Sequence, residues 1–127
     1  MDFKGGISED GRGSVTYVNG FDFKDVKRFY VIKNKRMGMV RAWHGHKKEG
    51  KYVFVVSGMA RIGIKNMVSG KTKHVILEAK KPAVIYIPPG NYNGSESLQP
   101  NTRIIYFSTS TLEESKADDY REEVDKW

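Results

Sequence analysis

Near the middle of the chain the sequence reads Gly38-Met-Val-Arg41-Ala-Trp43-His44-Gly-His46-Lys47-Lys-Glu-Gly-Lys51-Tyr-Val-Phe-Val-Val-Ser-Gly58. Two of the three histidines of the protein, His44 and His46, lie here with one residue between them. Alternate side chains of a β-strand point to the same face, so both imidazoles are expected on one side of a sheet. The pair therefore marks a candidate site.

Short β-branched and aromatic segments surround this stretch and predict strands at residues 14–18, 27–32, 39–43, 52–57, 60–65, 74–77, 83–87 and 103–108. Strands this short, at close and regular intervals, indicate an all-β barrel or jelly roll. We interpret Ser57-Gly58 as the turn of a hairpin and the glycine- and asparagine-rich residues 90–97 as a loop. Thr111 is a candidate N-cap of a polar helix that runs towards Lys126. The segment 118–127 is then expected to be a packing helix outside the site.

Length and composition limit the class of protein. A chain of 127 residues is long enough for one domain over residues 1–127 and too short for two. It contains no cysteine, which excludes disulfides and thiol chemistry. The net charge of +7 favours anionic partners, but the lysines are scattered and no nucleic-acid-binding motif is present. The N-terminus has no apolar segment of the secretory type and no apolar run approaches ~20 residues, so we expect a cytoplasmic protein with no membrane partner.

Two motifs resemble those of the cupin superfamily. The first is the spacing of Gly38, His44, His46, Lys51 and Gly58, and the second is Pro88-Pro-Gly-Asn91-Tyr92-Asn93. In metal-binding cupins these motifs supply three imidazoles and a carboxylate, and here Lys51 replaces the carboxylate while Asn93 replaces an imidazole. An ammonium repels a cation and an amide is a poor ligand. The resemblance therefore implies a cupin jelly roll with a C-terminal helix whose pocket holds no metal and uses no cofactor.

Further segments resemble the sugar-nucleotide branch of the superfamily. In outline the chain is similar to dTDP-4-dehydrorhamnose 3,5-epimerase, and more closely to the dTDP-sugar 3,4-ketoisomerases. The matching segments are Lys27-Arg28-Phe29-Tyr30, Arg41-Ala-Trp-His44-Gly-His46-Lys47 and Asp119-Tyr120-Arg121. The epimerase has a tyrosine acid shortly after its last strand, whereas the nearest position here is Leu112. Ketoisomerases usually have alanine at the position of Gly45 and an aromatic residue near Tyr92 and Asn93.

The resemblance also implies roles for individual residues. We expect His44 to be the catalytic base, because an imidazole with a pKa of about 6.5 accepts a proton near neutral pH. His46 would orient the substrate or relay the proton, and Tyr30 would be a proton donor or carbonyl anchor. Positive charge at Arg41 and Lys51 suits a diphosphate. Further expected substrate contacts are Lys47, Tyr92, Asn93 and Arg12. Arg12 would reach the phosphate of a substrate bound to the other subunit of a dimer. Trp43 is expected to be a packing residue and His74 a solvated one.

The sequence thus predicts a metal-independent isomerase that acts on a nucleotide-linked 4-keto-6-deoxysugar. We expect the enzyme to be a homodimer and to function in deoxysugar or surface-polysaccharide biosynthesis. A proton next to a ketone can be removed once nearby donors stabilise the enolate. We predict 3,4-ketoisomerisation rather than epimerisation, since Leu112 has no proton to give and only Tyr92 is a candidate replacement. The alternatives are a 3- or 3,5-epimerase on the same substrate class and a non-catalytic cupin that binds a sugar or nucleotide.

Overall fold

A computed structural model describes residues 2–127, which form twelve strands, one short α-helix and one 3-10 turn. The strands are β1 (Asp2–Lys4), β2 (Gly6–Asp10), β3 (Gly13–Tyr17), β4 (Arg28–Ile32), β5 (Val40–His46), β6 (Lys51–Ser57), β7 (Met59–Asn66), β8 (Thr72–Glu78), β9 (Ala83–Ile87), β10 (Asn91–Ser97), β11 (Arg103–Ser108) and β12 (Tyr120–Arg121). The helix α1 spans Leu112–Lys116 and the 3-10 turn spans Val124–Lys126. Over the described residues no helix is both long and apolar enough to cross a bilayer.

Two five-stranded sheets form a sandwich. The first has the order β1-β9-β6-β11-β4, the second has the order β12-β5-β10-β7-β8, and β2 and β3 form a separate hairpin. All the pairings are antiparallel. The predicted all-β jelly-roll class is confirmed.

The core lies between the two sheets because alternate residues of their strands are apolar. Val53 and Val55 of β6 meet Ile62 of β7 and Ile104 of β11 there, all with an exposed fraction of 2% or less. Full burial of side chains of this kind contributes about 1.5–3 kcal/mol each. The inward-facing apolar side chains of β6 and β11 therefore stabilise the packing of the two sheets.

The inner faces change from apolar to polar towards one end of the sandwich. In the β6–β11 register Val55 pairs with Ile104, Val53 with Tyr106, and Lys51 with Ser108. Because the strands are antiparallel, the polar start of β6 lies beside the polar end of β11. A polar cleft is thereby built at this end, next to the apolar core.

The predicted hairpin at Ser57-Gly58 is wrong. β6 pairs with β9 and β11 in the first sheet, whereas β7 pairs with β8 and β10 in the second. Gly58 has a φ of 78°, in the left-handed region that favours glycine, and its carbonyl accepts a hydrogen bond from Ala79 N–H. A glycine in this conformation suits a tight turn of either kind, so the local sequence does not distinguish a hairpin from a step between sheets.

Two further predictions about the second half of the chain are corrected. Residues 91–97 are strand β10, paired on both sides with β5 and β7, and not a loop. Glycine is needed inside this strand because a Cβ at Gly94 would lie 2.6 Å from Ala42 Cβ. The predicted cap is present, since Thr111 Oγ1 accepts from Glu114 N–H, but the helix ends at Lys116. The chain then returns as β12 beside β5 rather than continuing as a helix towards Lys126.

Candidate active site

A cleft of about 310 Å³ opens between the sheets at the polar end. Its walls come from β4, β6 and β11 of the first sheet, from β5 and β10 of the second, and from α1 and the tail. Six of the predicted site residues line it, namely Tyr30, Arg41, His44, His46, Lys51 and Asn93. The predicted common face of the two histidines is therefore present.

His46 is held by the backbone of the tail. Its Nδ1 lies 2.7 Å from the carbonyl oxygen of Asp118, in a buried contact. A carbonyl can only accept, so Nδ1 carries the proton in the neutral ring and Nε2 is left with a free lone pair. Burial, and then the charge of Lys51, lower the pKa of His46, whereas Glu49 and the Asp118 carbonyl act in the opposite direction.

His44 lies in a more cationic environment. Burial lowers its pKa to about 4, and the positive charges of Arg121, Lys51 and Arg41 add to the effect. The ring is therefore neutral at physiological pH and resists taking up a proton. These surroundings favour His46 over His44 as the base, which differs from the expectation based on the unperturbed imidazole.

Arg41 reaches the cleft because β5 is irregular. Strict alternation would place it on the face opposite His44, since the two positions are three residues apart. The register of β5 against β10 shifts, with His44 opposite Asn93 but Arg41 opposite Ser95. Such a bulge moves a side chain to the other face of a strand, and Arg41 consequently lines the cleft beside His44.

Tyr30 forms part of a stacked pair on the first sheet. Its ring lies parallel to that of Tyr106, with centroids 5.2 Å apart and 6° between planes, and the Arg28 guanidinium lies 5.0 Å from the Tyr30 centroid. Burial raises the pKa of both phenols well above the ordinary value. Tyr30 is therefore a neutral hydrogen-bond donor at the cleft wall.

Lys51 and Glu49 form a buried charged pair beneath the cleft. Lys51 Nζ lies 3.9 Å from Glu49 Oε2, and their side chains are 6% and 0% exposed. Glu49 Oε2 also accepts a hydrogen bond from Ser108 Oγ at 2.7 Å and lies 3.8 Å from Arg28 Nη2. Its other oxygen, Oε1, is 3.5 Å from His46 Nδ1. One carboxylate thus lies next to three groups that line the cleft.

Sequence reasoning missed Arg28, Glu49, Tyr106, Asp119 and Arg121. Asp119 and Arg121 form an ion pair at 2.9 Å and line the cleft, so the tail belongs to the site and is not the packing helix that was expected. The Asp-Tyr-Arg segment of the family resemblance was the available signal. Glu49 had no signal, because a glutamate in a Lys-Lys-Glu-Gly turn is ordinarily a surface residue.

Three predicted contacts do not line this cleft. Arg12 lies on the β2–β3 hairpin, where its guanidinium is paired with Asp10 at 2.7 Å. The Lys47 ammonium lies 4.6 Å from the ring centroid of Tyr120, outside the cleft. The Tyr92 ring covers Gly45 on the opposite face of the sheet, where an alanine Cβ would be 2.5 Å from the ring. Tyr92 is opposite in parity to Asn93, which explains why only Asn93 faces inward.

Trp43 and His74 are the remaining two residues whose surroundings were predicted. Trp43 is fully buried and packs against Trp127, with centroids 5.1 Å apart, so it is a packing residue. His74 is exposed on β8 as expected, but its ring also packs edge-on against Trp127, with centroids 4.7 Å apart. Among the described residues 2–127, no three His, Cys, Asp or Glu side chains come together as a metal site.

Comparison with solved structures identifies the fold as cupin-like. The rmlC epimerase of Mycobacterium tuberculosis superposes with a TM-score of 0.79 at 20% identity, over 94% of this chain and 66% of the epimerase. QdtA, a sugar 3,4-ketoisomerase from Thermoanaerobacterium thermosaccharolyticum determined in complex with TDP, gives 0.75 at 20% identity, over 99% of this chain and 90% of QdtA. A 3,4-ketoisomerase from Helicobacter canadensis gives 0.75 at 17% identity, over 96% of this chain and 90% of that one.

Sequence comparison gives a more specific result. No curated protein sequence matches the chain significantly. A family model, however, matches residues 3–127, almost the whole chain. The cupin-like sandwich, the histidine pair and this match lead to one assignment: the chain belongs to the family described as FdtA, WxcM-like, C-terminal.

Proposed function

We propose that the protein is a sugar-nucleotide 3,4-ketoisomerase that acts on a nucleotide-linked 4-keto-6-deoxysugar. The observation that carries the proposal is the orientation of His46, a ring with a fixed tautomer in a cleft lined by cations and a neutral phenol. Ketoisomerisation needs a positioned base, donors for the developing enediolate, and an anchor for the diphosphate. The described residues offer candidates for all three.

His46 is the proposed base. Its Nε2 removes the proton from C3, the electron pair of that bond forms the C3=C4 double bond, and the carbonyl electron pair moves onto O4. After O4 takes a proton from a donor in the cleft the intermediate is an enediol. His46 then returns its proton to C4, O3 gives its proton back to the cleft donor, and O3 becomes the new ketone. Glu49 and the Asp118 carbonyl favour the protonated ring, which stabilises the charge that His46 acquires.

His44 and Tyr30 would position the sugar. Because the His44 ring is neutral at physiological pH, it is suited to hydrogen bonding rather than to proton uptake. The Tyr30 phenol faces the cleft from the opposite sheet as a second donor. Asn93 adds an amide beside His44.

The diphosphate anchor is proposed at Arg41, Arg28 and Arg121. Arg41 and Arg121 are exposed cleft residues, so a nucleotide can reach them without entering the core. A guanidinium binds phosphate through two parallel hydrogen bonds. QdtA was determined with TDP bound, which supports thymidine diphosphate as the first ligand to test.

In the test, dTDP-4-keto-6-deoxyglucose is incubated with the protein in D₂O, and the product is assigned by NMR. A product with its ketone at C3 and with deuterium at C4 is expected, since the returning proton can exchange with solvent on His46. A product that keeps its C4 ketone but is inverted and labelled at C3 or C5 would identify an epimerase instead. Binding without turnover would indicate the non-catalytic alternative.

One observation favours the epimerase as the second candidate. Epimerisation needs an acid on the ring face opposite the base, and Tyr30 projects from the sheet that faces the histidines. Two other observations count against an epimerase. Leu112 lines the cleft without a proton to donate, and Tyr92, the replacement considered from the sequence, lies on the outer face against Gly45.

A further inference from the structure

Lys51 is the most buried cation of the cleft. It is 5% exposed, and its Nζ lies 5.8 Å and 5.7 Å from the ring centroids of Tyr30 and Tyr106. Arg41 and Arg121, in contrast, are exposed. An ammonium this deep is poorly placed for a diphosphate, which carries its own hydration and reaches the exposed guanidinium groups first. Lys51 is better placed for the sugar end of the ligand.

The pair formed with Glu49 holds this ammonium in place. Glu49 does not line the cleft, and its carboxylate is fixed by the 2.7 Å hydrogen bond from Ser108 Oγ on β11. A buried cation is expensive unless a counter-charge lies close to it. The 3.9 Å separation of Lys51 Nζ from Glu49 Oε2 supplies the counter-charge but exceeds a hydrogen bond, so the ammonium protons remain available to a ligand.

We propose that Lys51 is a catalytic residue that protonates O4 of the sugar and later takes the proton of O3, and that Glu49 is its positioning residue. This inference rests on the proposed ketoisomerisation. It replaces the expectation that Lys51 is a diphosphate anchor.

The proton balance closes with two groups. When His46 takes the C3 proton, the Lys51 ammonium gives a proton to O4, leaving a neutral amine and an imidazolium around a neutral enediol. When the imidazolium gives its proton to C4, the amine takes the O3 proton and the C3 ketone forms. Both residues return to their starting states, and no oxidant or further reactant is used. O3 and O4 are on adjacent carbons, so one nitrogen can serve both.

The surroundings of Lys51 suit proton exchange near neutral pH. Burial lowers the pKa of Lys51 to about 8, with Glu49 and Asp119 opposing this shift and Arg28 and Arg121 reinforcing it. The two histidines of β5 also face it. Tyr30 and Tyr106 are weaker acids, since burial raises their pKa values. An acid is most effective when its pKa is near the working pH, which favours Lys51 among the cleft donors.

The first experiment compares Lys51→Gln, Lys51→Arg and the control Lys48→Gln, an exposed lysine outside the cleft. Lys51→Gln should lower kcat by about 10²–10⁴, the range of one positioned acid, with the Kd for TDP changed less than about twofold. Lys51→Arg should not restore turnover, because guanidinium does not release its proton. A weakened Kd for TDP with kcat retained, or full activity in Lys51→Arg, would overturn the proposal.

The second experiment tests the positioning role. Glu49→Gln removes the charge that favours the ammonium, so the alkaline limb of kcat/KM should move to lower pH. A purely structural role would lower activity without moving that limb, and this result would exclude Glu49 as the positioning residue. If either single variant fails to fold, the double variant Glu49→Gln/Lys51→Gln keeps the buried charge balanced, and it should show the kcat loss of Lys51→Gln.

A third measurement separates this inference from the proposed function. If the wild-type protein converts no keto sugar, the proposed function fails, and NMR of ¹³C-labelled lysine still reports on Lys51. Its side-chain signal should titrate near pH 8 and shift when dTDP-4-keto-6-deoxyglucose is added, but not with TDP alone. A shift of equal size with TDP alone would show a phosphate contact and overturn the inference.

Discussion

At the scale of single residues, the two cleft histidines differ more than their sequence positions suggest. His46 has its proton fixed on Nδ1 by the Asp118 carbonyl and lies near Glu49, whereas His44 is surrounded by Arg41, Lys51 and Arg121. A nearby carboxylate favours an imidazolium and nearby cations oppose it. We therefore propose proton transfer at His46 and neutral hydrogen bonding at His44.

Replacing each histidine by asparagine should separate these roles. His46→Asn is expected to lower kcat by about 10²–10⁴, as for loss of a general base, and His44→Asn to act mainly on KM. His74→Asn, on exposed β8, is the matched control and should leave both parameters unchanged. Steady-state kinetics with the keto sugar measure the effects, and the opposite order would return the base to His44.

The pH dependence of kcat/KM follows from the same residue. A base works when it is unprotonated, so activity should fall as pH drops through the pKa of His46 in the free enzyme. Burial, followed by Lys51, lowers this pKa, which places the acidic limb below about 6.5, the ordinary value for histidine. A pH–rate profile measures it. An acidic limb above that value would show that another group, or a different environment, controls the base.

At the scale of secondary structure, the turn after β5 depends on the tail. The Asp118 carboxylate is buried and accepts hydrogen bonds from the backbone N–H groups of Lys47, Lys48 and Glu49, at 2.9, 2.8 and 3.2 Å. Its backbone carbonyl meanwhile holds His46. Asp118 thus organises both the proposed base, His46, and the turn that carries Glu49.

Asp118→Asn should destabilise the fold, because an amide has one acceptor oxygen where three N–H groups need partners. We expect the free energy of unfolding to fall by about 1–3 kcal/mol, the cost of leaving buried donors unsatisfied. Urea denaturation at pH 7 measures this, with the exposed Asp22→Asn as the control. Equal stability of the two variants would contradict the account.

The destabilisation caused by Asp118→Asn should become smaller at acidic pH. Burial alone would raise the pKa of Asp118, but the three N–H donors outweigh it and lower the pKa overall. A lowered carboxyl pKa contributes stability that is fully present above the unfolded value of about 3.9 and is lost as pH falls through the folded pKa. The difference between wild type and Asp118→Asn should therefore narrow below about pH 4.

At the scale of the whole molecule, one sheet leaves part of its outer face uncovered within the described chain. Phe29 and Val31 of β4 and Val56 of β6 are 64%, 51% and 52% exposed on this face. The aromatic ring of Phe107 lies between Phe29 and Phe23 there. An apolar sheet face of this kind is a candidate interface between copies of the chain.

We expect the homodimer implied by the family resemblance to use this face. Light scattering should then give twice the 14.5 kDa of one chain, and Phe29→Ser/Val31→Ser should shift the mass towards that of the monomer. Val68→Ser, at a 97% exposed position between β7 and β8, is the control and should leave the mass unchanged. A wild-type mass of 14.5 kDa at micromolar concentration would exclude the dimer.

The contact of Arg12 with a substrate across the dimer stays a prediction. Measuring the Kd of Arg12→Ala for TDP tests it.

The sequence by itself determined the positions of eight of the twelve strands, the fold class, and the shared face of His44 and His46. These properties are local, since alternation of side chains and the spacing of motif residues do not depend on distant contacts. The inward position of Lys51 was expected from the cupin motif and that of Tyr30 from the ketoisomerase segment, and both residues line the cleft. The capping box at Thr111 is equally local and was predicted, although the length of its helix was not.

Only the tertiary structure decided which sheet each strand joins and what surrounds each site residue. The turn at Gly58 steps between sheets because both inner faces have to be buried, and the bulge in β5 that brings Arg41 inward is visible only against β10. The Asp118 carbonyl reaches His46 across 72 positions of the chain, and Ser108 reaches Glu49 across 59. Contacts between residues so far apart leave no local pattern, and these contacts set the different surroundings of the two histidines and of the lysine at the bottom of the cleft.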